Sequence, residues 1–329
     1  MTRVWSEGFE LQDMVGYTLG AYYPTISTAV KRSGAASCLF KSYESGNMYK
    51  SITAISEFYL RVAIYKDTTS RTDYIIWRSG GTSLGYVSIG SQITISSAAL
   101  SDVGSTTLSI NTWYLLEIHV KIDDATGAVD VKIDGVAECN VAGDTKPGAD
   151  TTVDNIYFNG GFRNSSWYID DIGLNDTAGG VDDSWLGDGR IIVIKPNGDT
   201  ATLQLTPSAA VDHNTLVDDI PADGDTTYVE GSVTDEEDIY DLAACSLGDV
   251  IITRIWTEAR AKDTASSGKT IALITKASGG AEVSGGDVAL AGTYTTKILG
   301  AEELVNPVDT AAWEVADIDA LQGGPRTRP

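Results

Sequence analysis

The sequence predicts an all-β protein of two antiparallel β-sandwich domains, with one short helix near the C-terminus. Apolar and polar residues alternate through Trp113–Gly135, on both sides of the turn Thr126-Gly127. A period of two places one face of a strand in a core and the other towards water. Short apolar runs separated by turn residues recur along the chain, which is typical of sandwiches. The 34 glycines among 329 residues also favour many short strands joined by turns.

The Trp113–Gly135 segment predicts a hairpin with one buried face and one solvent-exposed face. Its inward residues are apolar: Leu116, Ile118, Val120 and Ile122, then Val129, Val131 and Ile133. Its outward residues form a solvent-facing mixture of charges: Glu117, His119, Lys121, Asp130 and Lys132. Gly127 suits the turn because glycine tolerates positive φ.

The remaining runs divide the chain into two domains. Further strands of the first domain are expected at 58–65, 74–77, 85–90, 155–160 and 167–174. In the last of these, alternation cannot place every apolar residue on one face, which predicts a bulge or a second buried face against the other domain. Residues 177–189 are polar, acidic and glycine-rich and predict a linker. The domains are therefore expected at 1–176 and 190–329.

The second domain is expected to be a second, mostly β sandwich. The segments Val250–Lys262 and Lys269–Ala277 read as long strands. Residues Thr310–Leu321 predict a short helix with Thr310 as N-cap and with Trp313, Ile318 and Leu321 inside. The last four residues read as a loose tail.

Charge and cysteine content restrict the function classes. The formal net charge is −23, from 46 acidic and 23 basic residues, and such a field disfavours binding to nucleic acid or to an anionic membrane surface. Three cysteines, Cys38, Cys139 and Cys245, fit neither a disulfide framework nor a zinc motif. The N-terminus lacks the apolar core of a signal peptide, so synthesis in a cytoplasm and release by lysis or within a larger particle are expected.

The order of several motifs resembles one superfamily. Gly8-Phe9-Glu10, Ser37-Cys38-Leu39, Phe58–Arg61, Thr112–Val120, Val129–Gly135 and Trp167–Leu174 together resemble the concanavalin A-like (laminin-G-like) jelly-roll fold. The resemblance covers residues 1–176. Its motifs are packing motifs, so it implies a fold more than a ligand.

A second resemblance spans nearly the whole chain. Trp167–Asp199, Asp218–Gly231 and Asn306–Gly324 resemble segments of tailed-bacteriophage virion proteins that carry a lectin-like domain followed by a second β domain. The resemblance implies a location in the virion after synthesis in the host cytoplasm. It implies a capsid decoration, a fibre or a tail-tip adhesin, with other capsid or tail proteins and copies of itself as partners.

The residues indicate no catalytic machinery. The strand motif Glu-x-Asp-x-x-Glu of jelly-roll glycosidases does not occur in residues 1–176. The acidic run Glu236–Asp241 is interpreted as a solvated charge run, and His119 and His213 as surface histidines without a nucleophile. We therefore expect no catalytic residue and no enzymatic activity, with a glycoside hydrolase as an alternative.

Two groups of residues are candidate binding sites. Asp170, Asp171, Asn175 and Asp176 crowd one strand end and are candidate Ca²⁺ ligands; the alternative is that they accept backbone hydrogen bonds in a turn. No other cofactor is expected. Tyr43, Tyr49, Tyr74 and Trp77 are candidate platforms for a host surface glycan; the alternative is that such aromatics lie in the core or in protein interfaces. The leading hypothesis is thus a non-enzymatic virion surface protein, and a carbohydrate-binding lectin module is the alternative.

Overall fold

The computed structural model describes residues 3–41, 46–70, 72–160, 166–248, 250–294 and 297–329. The chain forms two compact units, Met1–Val193 and Ile194–Pro329. Nearly all regular structure is β, in several antiparallel sheets with one short α-helix, which confirms the predicted fold class. None of the helices among these residues is long and apolar enough to cross a membrane.

The first unit contains fifteen strands in the described residues. They are β1 Arg3–Glu7, β2 Thr18–Leu19, β3 Thr25–Ser27, β4 Ser37–Phe40, β5 Asn47–Ile55, β6 Glu57–Lys66, β7 Asp73–Ser79, β8 Thr82–Ile89, β9 Ile93–Ser97, β10 Leu100–Val103, β11 Trp113–Lys121, β12 Gly127–Ile133, β13 Val136–Gly143, β14 Val153–Asn159 and β15 Trp167–Asp176.

These strands form two sheets that bury one continuous apolar core. The eight-stranded sheet has the order β13-β12-β11-β6-β15-β4-β3, with β1 also paired to β15. The seven-stranded sheet has the order β10-β9-β8-β7-β14-β5-β2. Alternation along the strands sends apolar side chains inwards from both sheets, including the fully buried Phe58, Trp77, Phe158 and Trp167. This core is what holds the two sheets face to face.

The predicted hairpin is confirmed as β11 and β12. Its register pairs Leu116 with Ile133, Ile118 with Val131 and Val120 with Val129, and all six side chains are buried. The opposite face of the hairpin is less exposed to solvent than expected, because Glu117 is only 3% exposed.

A bulge in β15 resolves the conflict in its alternation. The pairing of β15 with β6 shifts register between Asp170 and Gly173, and Asp171 has a φ of 51°. Before the bulge β15 pairs with β4 at residues 167–169, and after it with β1 at residues 172–175. Because of the bulge, β15 pairs with both β4 and β1 along the same edge. The bulge also turns the Asp171 carboxylate towards residues outside the sheet.

Residues 184–191, here called the covering segment, lie on the outer face of the eight-stranded sheet. The Gly187 amide donates to Glu117 Oε1 at 2.7 Å, and the Ile191 amide donates to Asp171 Oδ1 at 2.8 Å. The Trp185 ring packs edge-on against Tyr59, with centroids 5.2 Å apart. The whole segment expected to be a linker, residues 177–189, lies within the first compact unit, whose boundary is at 193/194.

The second unit is organised around a six-stranded sheet. Its strands are β16 Pro196–Leu203, β17 Thr206–Pro207, β18 Val229–Glu230, β19 Asp238–Leu242, β20 Glu258–Arg260, β21 Thr270–Lys276, β22 Glu282–Ser284, β23 Val288–Ala289, β24 Lys297–Leu299 and β25 Gln322–Arg328, with a 3-10 turn at His213–Leu216 and helix α1 at Val315–Asp319. The sheet order is β16-β19-β25-β21-β22, with β23 also on β21, and β17-β18 and β20-β24 form two-stranded ribbons.

Three expectations for the second unit need correction. The helix is shorter than predicted and begins after Glu314, which forms a capping box with Asp317, whereas Thr310 has a φ of 61° in the preceding turn. The C-terminal residues form β25, which pairs with both β19 and β21. The segment Val250–Lys262 contributes only the short strand β20 and two isolated bridges among the described residues. The inward placement of Trp313, Ile318 and Leu321 is confirmed.

Candidate functional site

The outer face of the seven-stranded sheet carries a row of tyrosines. Tyr157 on β14 pairs with Tyr49 on β5 and with Ile76 on β7, and Ile76 pairs with Tyr86 on β8. These residues are partly exposed, whereas their strand neighbours Met48, Ile75, Val87 and Phe158 are buried. Alternation thus turns the row away from the core, and four adjacent strands hold it in a fixed register.

The rings are ordered by contacts with one another and with an arginine. The Tyr157 ring stacks with Tyr49 at a centroid distance of 6.0 Å and an interplanar angle of 18°. The Arg78 guanidinium lies 3.8 Å from the Tyr157 centroid. Because β14 lies between β7 and β5, Arg78 and Tyr49 flank Tyr157 on opposite sides. The Tyr157 ring is therefore held between them and offers its hydroxyl edge rather than an open ring face.

Polar side chains border the tyrosine row. Ser51 Oγ donates to Asn155 Oδ1 at 3.0 Å, and Asn159 hydrogen bonds with the Tyr157 hydroxyl. Burial raises the pKa of Tyr157, with opposing contributions from Arg78 and Asn159, so this hydroxyl stays a neutral donor and acceptor at physiological pH. Tyr74 meets Tyr86 edge-on at 5.6 Å on the same face. The face therefore combines phenol, amide and guanidinium groups.

The charge of this face differs from that of the whole protein. The Asp154 carboxylate, at the start of β14, accepts the Gly80 amide at 3.0 Å and the Asn155 side-chain amide at 2.5 Å. Arg78 makes no ion pair or hydrogen bond within the described part of the chain, and its Nε is buried without an acceptor. A protein with a net charge of −23 thus presents an unneutralised cation here.

The sequence-predicted glycan residues separate into three groups. Tyr49 and Tyr74 lie on this outer face. Trp77 does not: it is 1% exposed and packs inwards, with its ring so close to Gly85 that a Cβ there would lie 2.4 Å from it. Tyr43 falls outside the described residues. Tyr157, Tyr86, Arg78, Asn155 and Asn159 were not predicted, although alternation in 74–78, 85–90 and 155–159 places each of them on the outer face.

The candidate Ca²⁺ ligands are engaged by protein groups instead. Asp170 accepts the amides of Arg32 and Asp171, each at 2.8 Å, while Asp171 pairs with Arg32 at 2.9 Å and accepts the Ser33 hydroxyl at 2.6 Å. Asn175 bonds Arg3 and the Ser184 carbonyl. Asp176 accepts the Ala178 amide at 3.0 Å.

These bonds match the turn alternative rather than a metal centre. Within the described ranges, no three His, Cys, Asp or Glu side chains are grouped so that they could hold a metal ion. Burial and the neighbouring Asp171 carboxylate raise the pKa of Asp170, while the backbone amides of Arg32 and Asp171 that donate to it act in the opposite direction. The Ca²⁺ site at Asp170, Asp171, Asn175 and Asp176 stays a prediction, and in this structure protein groups bond all four side chains.

Both histidines are less exposed than the sequence suggested. His119 lies between Asp130 and Glu57, with its ring nitrogens 2.8 and 2.9 Å from their carboxylate oxygens, and its side chain is 12% exposed. His213 Nδ1 lies 2.7 Å from Asp238, a wholly buried residue of the run that was interpreted as solvated. Asp238 also accepts the Tyr240 hydroxyl at 2.9 Å. The His119 ring thus contacts two carboxylates and the His213 ring contacts one.

Comparison with known proteins shows likeness only in part of the chain. No protein-family profile and no curated protein sequence matches it. Among solved structures, the receptor-binding domain of botulinum neurotoxin type G is 14% identical over 53% of this chain and 48% of its own, with a TM-score of 0.40. An alginate lyase is 13% identical over 53% of this chain and 97% of its own, with a TM-score of 0.37. A carbohydrate esterase of the Shiga toxin-encoding bacteriophage phi24B is 11% identical over 49% and 89%, with a TM-score of 0.37.

These comparisons overturn one expectation. The sequence analysis predicted that the protein is not an enzyme, yet similar structures include the alginate lyase, the esterase and a sialidase of Trypanosoma rangeli. That prediction is contradicted. Likeness at this level of identity does not transfer an activity to this chain.

Proposed function

We propose that the first unit binds carbohydrate on the outer face of its seven-stranded sheet. The observation that carries the proposal is the ordered group of phenol, amide and guanidinium side chains across β5, β14, β7 and β8. Sugars present many hydroxyls on a partly apolar ring, and they are bound by aromatic side chains together with a few fixed donors and acceptors. Tyrosine supplies both kinds of contact at a low cost in side-chain entropy.

The fixed geometry of this face favours binding. Tyr157 is held between Arg78 and Tyr49, with the guanidinium 3.8 Å from its ring centroid. Ordered side chains lose little conformational freedom when a ligand arrives, so more of the contact energy appears as affinity. Because the Tyr157 ring faces are occupied, we expect sugar contacts chiefly through its hydroxyl and through the amides of Asn155 and Asn159.

A second aromatic group is a rival site on the other sheet. The Tyr65 ring lies 5.4 Å from both Trp113 and Tyr168 on the outer face of the eight-stranded sheet. The Tyr65 hydroxyl already donates to Asn111 Oδ1 at 3.1 Å, and burial, together with the Asp67 carboxylate, raises the pKa of Tyr168. This group offers fewer uncommitted donors, so we favour the seven-stranded sheet.

Matched tyrosine variants test the proposal. A glycan array identifies ligands of the full chain, and titration calorimetry then measures Kd for the best of them. Tyr157→Ala and Tyr86→Ala are expected to weaken binding at least about tenfold, while Tyr168→Ala changes Kd less than about twofold. A flat array, or a loss confined to Tyr168→Ala, would contradict the proposed site. Mass spectrometry of the same mixtures shows whether the bound carbohydrate is also cleaved or deacylated.

We also propose that the protein acts as a component of a bacteriophage virion, where the carbohydrate would be a host surface glycan. This proposal is supported by the resemblance of residues 167–199 and 306–324 to virion proteins. Mass spectrometry of purified phage particles tests it. Detection at stoichiometric copy number supports the proposal, and absence from particles of a phage that encodes the chain contradicts it.

A further inference from the structure

The strongest unexplained feature of the proposed binding face is Arg78. The other arginines of this unit with described contacts are bonded to polar groups of the protein: Arg3 to Asn175, Arg32 to Asp171 and Asp188, and Arg61 to the Asp171 carbonyl. Within the described residues the Tyr157 ring is the charge or ring partner of Arg78, and no carboxylate lies within ion-pairing distance of its guanidinium.

The contact with Tyr157 orients the guanidinium without neutralising it. A guanidinium 3.8 Å from a ring centroid is held by the ring quadrupole and by flat packing, and both leave its N–H edge free to donate. The Nε is buried and has no acceptor among the described residues, so this end of the group lies beneath the surface. The two terminal nitrogens are neither bonded to protein nor enclosed among the described residues, so they are the donors that a ligand meets.

We propose that Arg78 binds the carboxylate of an acidic sugar, which makes the seven-stranded sheet a receptor for carboxylate-bearing glycans. The inference rests on the proposed carbohydrate-binding function. A planar carboxylate matches the guanidinium fork with two parallel hydrogen bonds, whereas a sugar hydroxyl accepts only one. Among the described residues, the Asp154 carboxylate bonded to Asn155 is held by that amide and by the Gly80 amide, and no carboxylate forms an ion pair with Arg78.

Neighbouring groups supply the remaining contacts of such a sugar. Asn155 pairs directly with Arg78 across β14 and β7, so its amide lies beside the expected carboxylate position. The Tyr157 hydroxyl, with Asn159 behind it, lies in the next row of the same face. An acidic pyranose bound at Arg78 would therefore place its ring hydroxyls near these phenol and amide groups.

The test compares each acidic oligosaccharide with a neutral counterpart of the same shape. Calorimetry on the full chain, at about 0.15 M salt so that long-range repulsion is screened, uses hexagalacturonate against its carboxyl-reduced form, and sialyllactose against lactose. We expect at least one acidic member to bind about tenfold or more tightly than its neutral partner. The preferred pair identifies a uronate or a sialic acid as the source of the carboxylate.

Variants then assign the preference to Arg78. Arg78→Gln should remove the acidic preference, so that the acidic and neutral partners bind with the same Kd, and Arg78→Lys should retain only part of the preference because the fork is lost. Arg190→Gln removes the same charge at an exposed position and should leave the preference intact. Circular dichroism and thermal melting verify that each variant is folded.

The outcomes separate this inference from the proposed function. Equal binding of acidic and neutral partners, both weakened by Tyr157→Ala, would overturn the role of Arg78 and leave carbohydrate binding standing. An acidic preference that survives Arg78→Gln would overturn it as well. Binding of none of the four ligands would overturn the role of Arg78, whereas the proposed carbohydrate binding is overturned only by a flat glycan array or by a loss confined to Tyr168→Ala.

Discussion

The outer faces of the two sheets of the first unit differ in what satisfies their polar groups. On the eight-stranded sheet, Glu117 accepts a hydrogen bond from Gly187, and His119 lies between two carboxylates under the edge of Trp185. On the seven-stranded sheet, the Arg78 guanidinium lies on the Tyr157 ring and has no hydrogen bond or ion pair among the described residues, and both side chains are partly exposed. A sheet face whose polar side chains are hydrogen bonded within the protein stabilises the fold. A sheet face with hydrogen-bond donors that have no acceptor in the protein is suited to binding a ligand.

The largest expected effect is at the bond between the covering segment and the sheet. Asp171 is wholly buried and binds Arg32, Ser33 and the Ile191 amide. Asp171→Ala leaves buried donors and a guanidinium uncompensated and is expected to cost about 3–5 kcal/mol of unfolding free energy. Urea denaturation measures the loss. Asp183→Ala, at an exposed carboxylate of the same region, should change the unfolding free energy by less than about 0.5 kcal/mol.

A smaller loss of unfolding free energy is expected at Trp185, which covers the hairpin face that was predicted to be exposed to solvent. Its ring contacts Tyr59, and the Lys132 ammonium lies 3.8 Å from its centroid. Because the ring is only half-buried, Trp185→Ala should cost about 1–3 kcal/mol, and Trp185→Phe should recover much of that. The alanine variant should also exchange amide hydrogens of β11 and β12 faster. Unchanged stability and exchange would show that the segment does not hold this face.

The smallest effect is a pH dependence set by buried carboxyl groups. Burial raises the pKa of Glu10 from 4.5 to about 7. The folded state therefore holds this proton more tightly than the unfolded state, so Glu10 contributes stability that is present below about pH 4.5 and is lost as the pH rises towards 7. Burial also raises the pKa of Asp170, so Asp170 affects the pH dependence of stability in the same direction.

A neutral isostere isolates the contribution of Glu10. Relative to the wild type, Glu10→Gln should gain thermal stability as the pH rises from 5 to 8, because the wild type alone must ionise a buried group. Melting temperatures at matched pH values measure the difference. Glu230→Gln, at an exposed carboxylate, serves as the control and should show no such trend. A constant offset between Glu10→Gln and wild type across this range would contradict the assignment.

Local periodicity predicts the strands and the faces of the residues, but not what covers each face. The register of β11 with β12 follows from alternation alone, and so does the inward direction of Trp77. Tyr74 and Trp77 are three positions apart on one strand and must point to opposite faces, so the sequence already argued against placing both in one site. The same rule, applied to 74–78 and 155–159, indicates Arg78, Asn155 and Tyr157.

The covered face could not be predicted, because its partners are distant in sequence. Glu117 and Gly187 are separated by 70 residues, and Arg32 and Asp171 by 139. A polar, glycine-rich stretch such as residues 177–189 reads as a linker unless its side chains are known to meet buried carboxylates. For the same reason Asp170 and Asp171 resembled metal ligands. Adjacent carboxylates give the same sequence pattern whether they bind a cation or accept hydrogen bonds from backbone amides.

The location of bound carbohydrate tests the central claim most directly. Hydroxyl-radical footprinting of the full chain, with and without saturating hexagalacturonate or sialyllactose, whichever calorimetry shows to bind, reports the oxidation rate of each tyrosine. Tyr49, Tyr86 and Tyr157 are expected to become protected, while Tyr65 and Tyr168 keep their rates. Protection of Tyr65 and Tyr168 with no change at Tyr157 would contradict the assignment of ligand binding to the seven-stranded sheet.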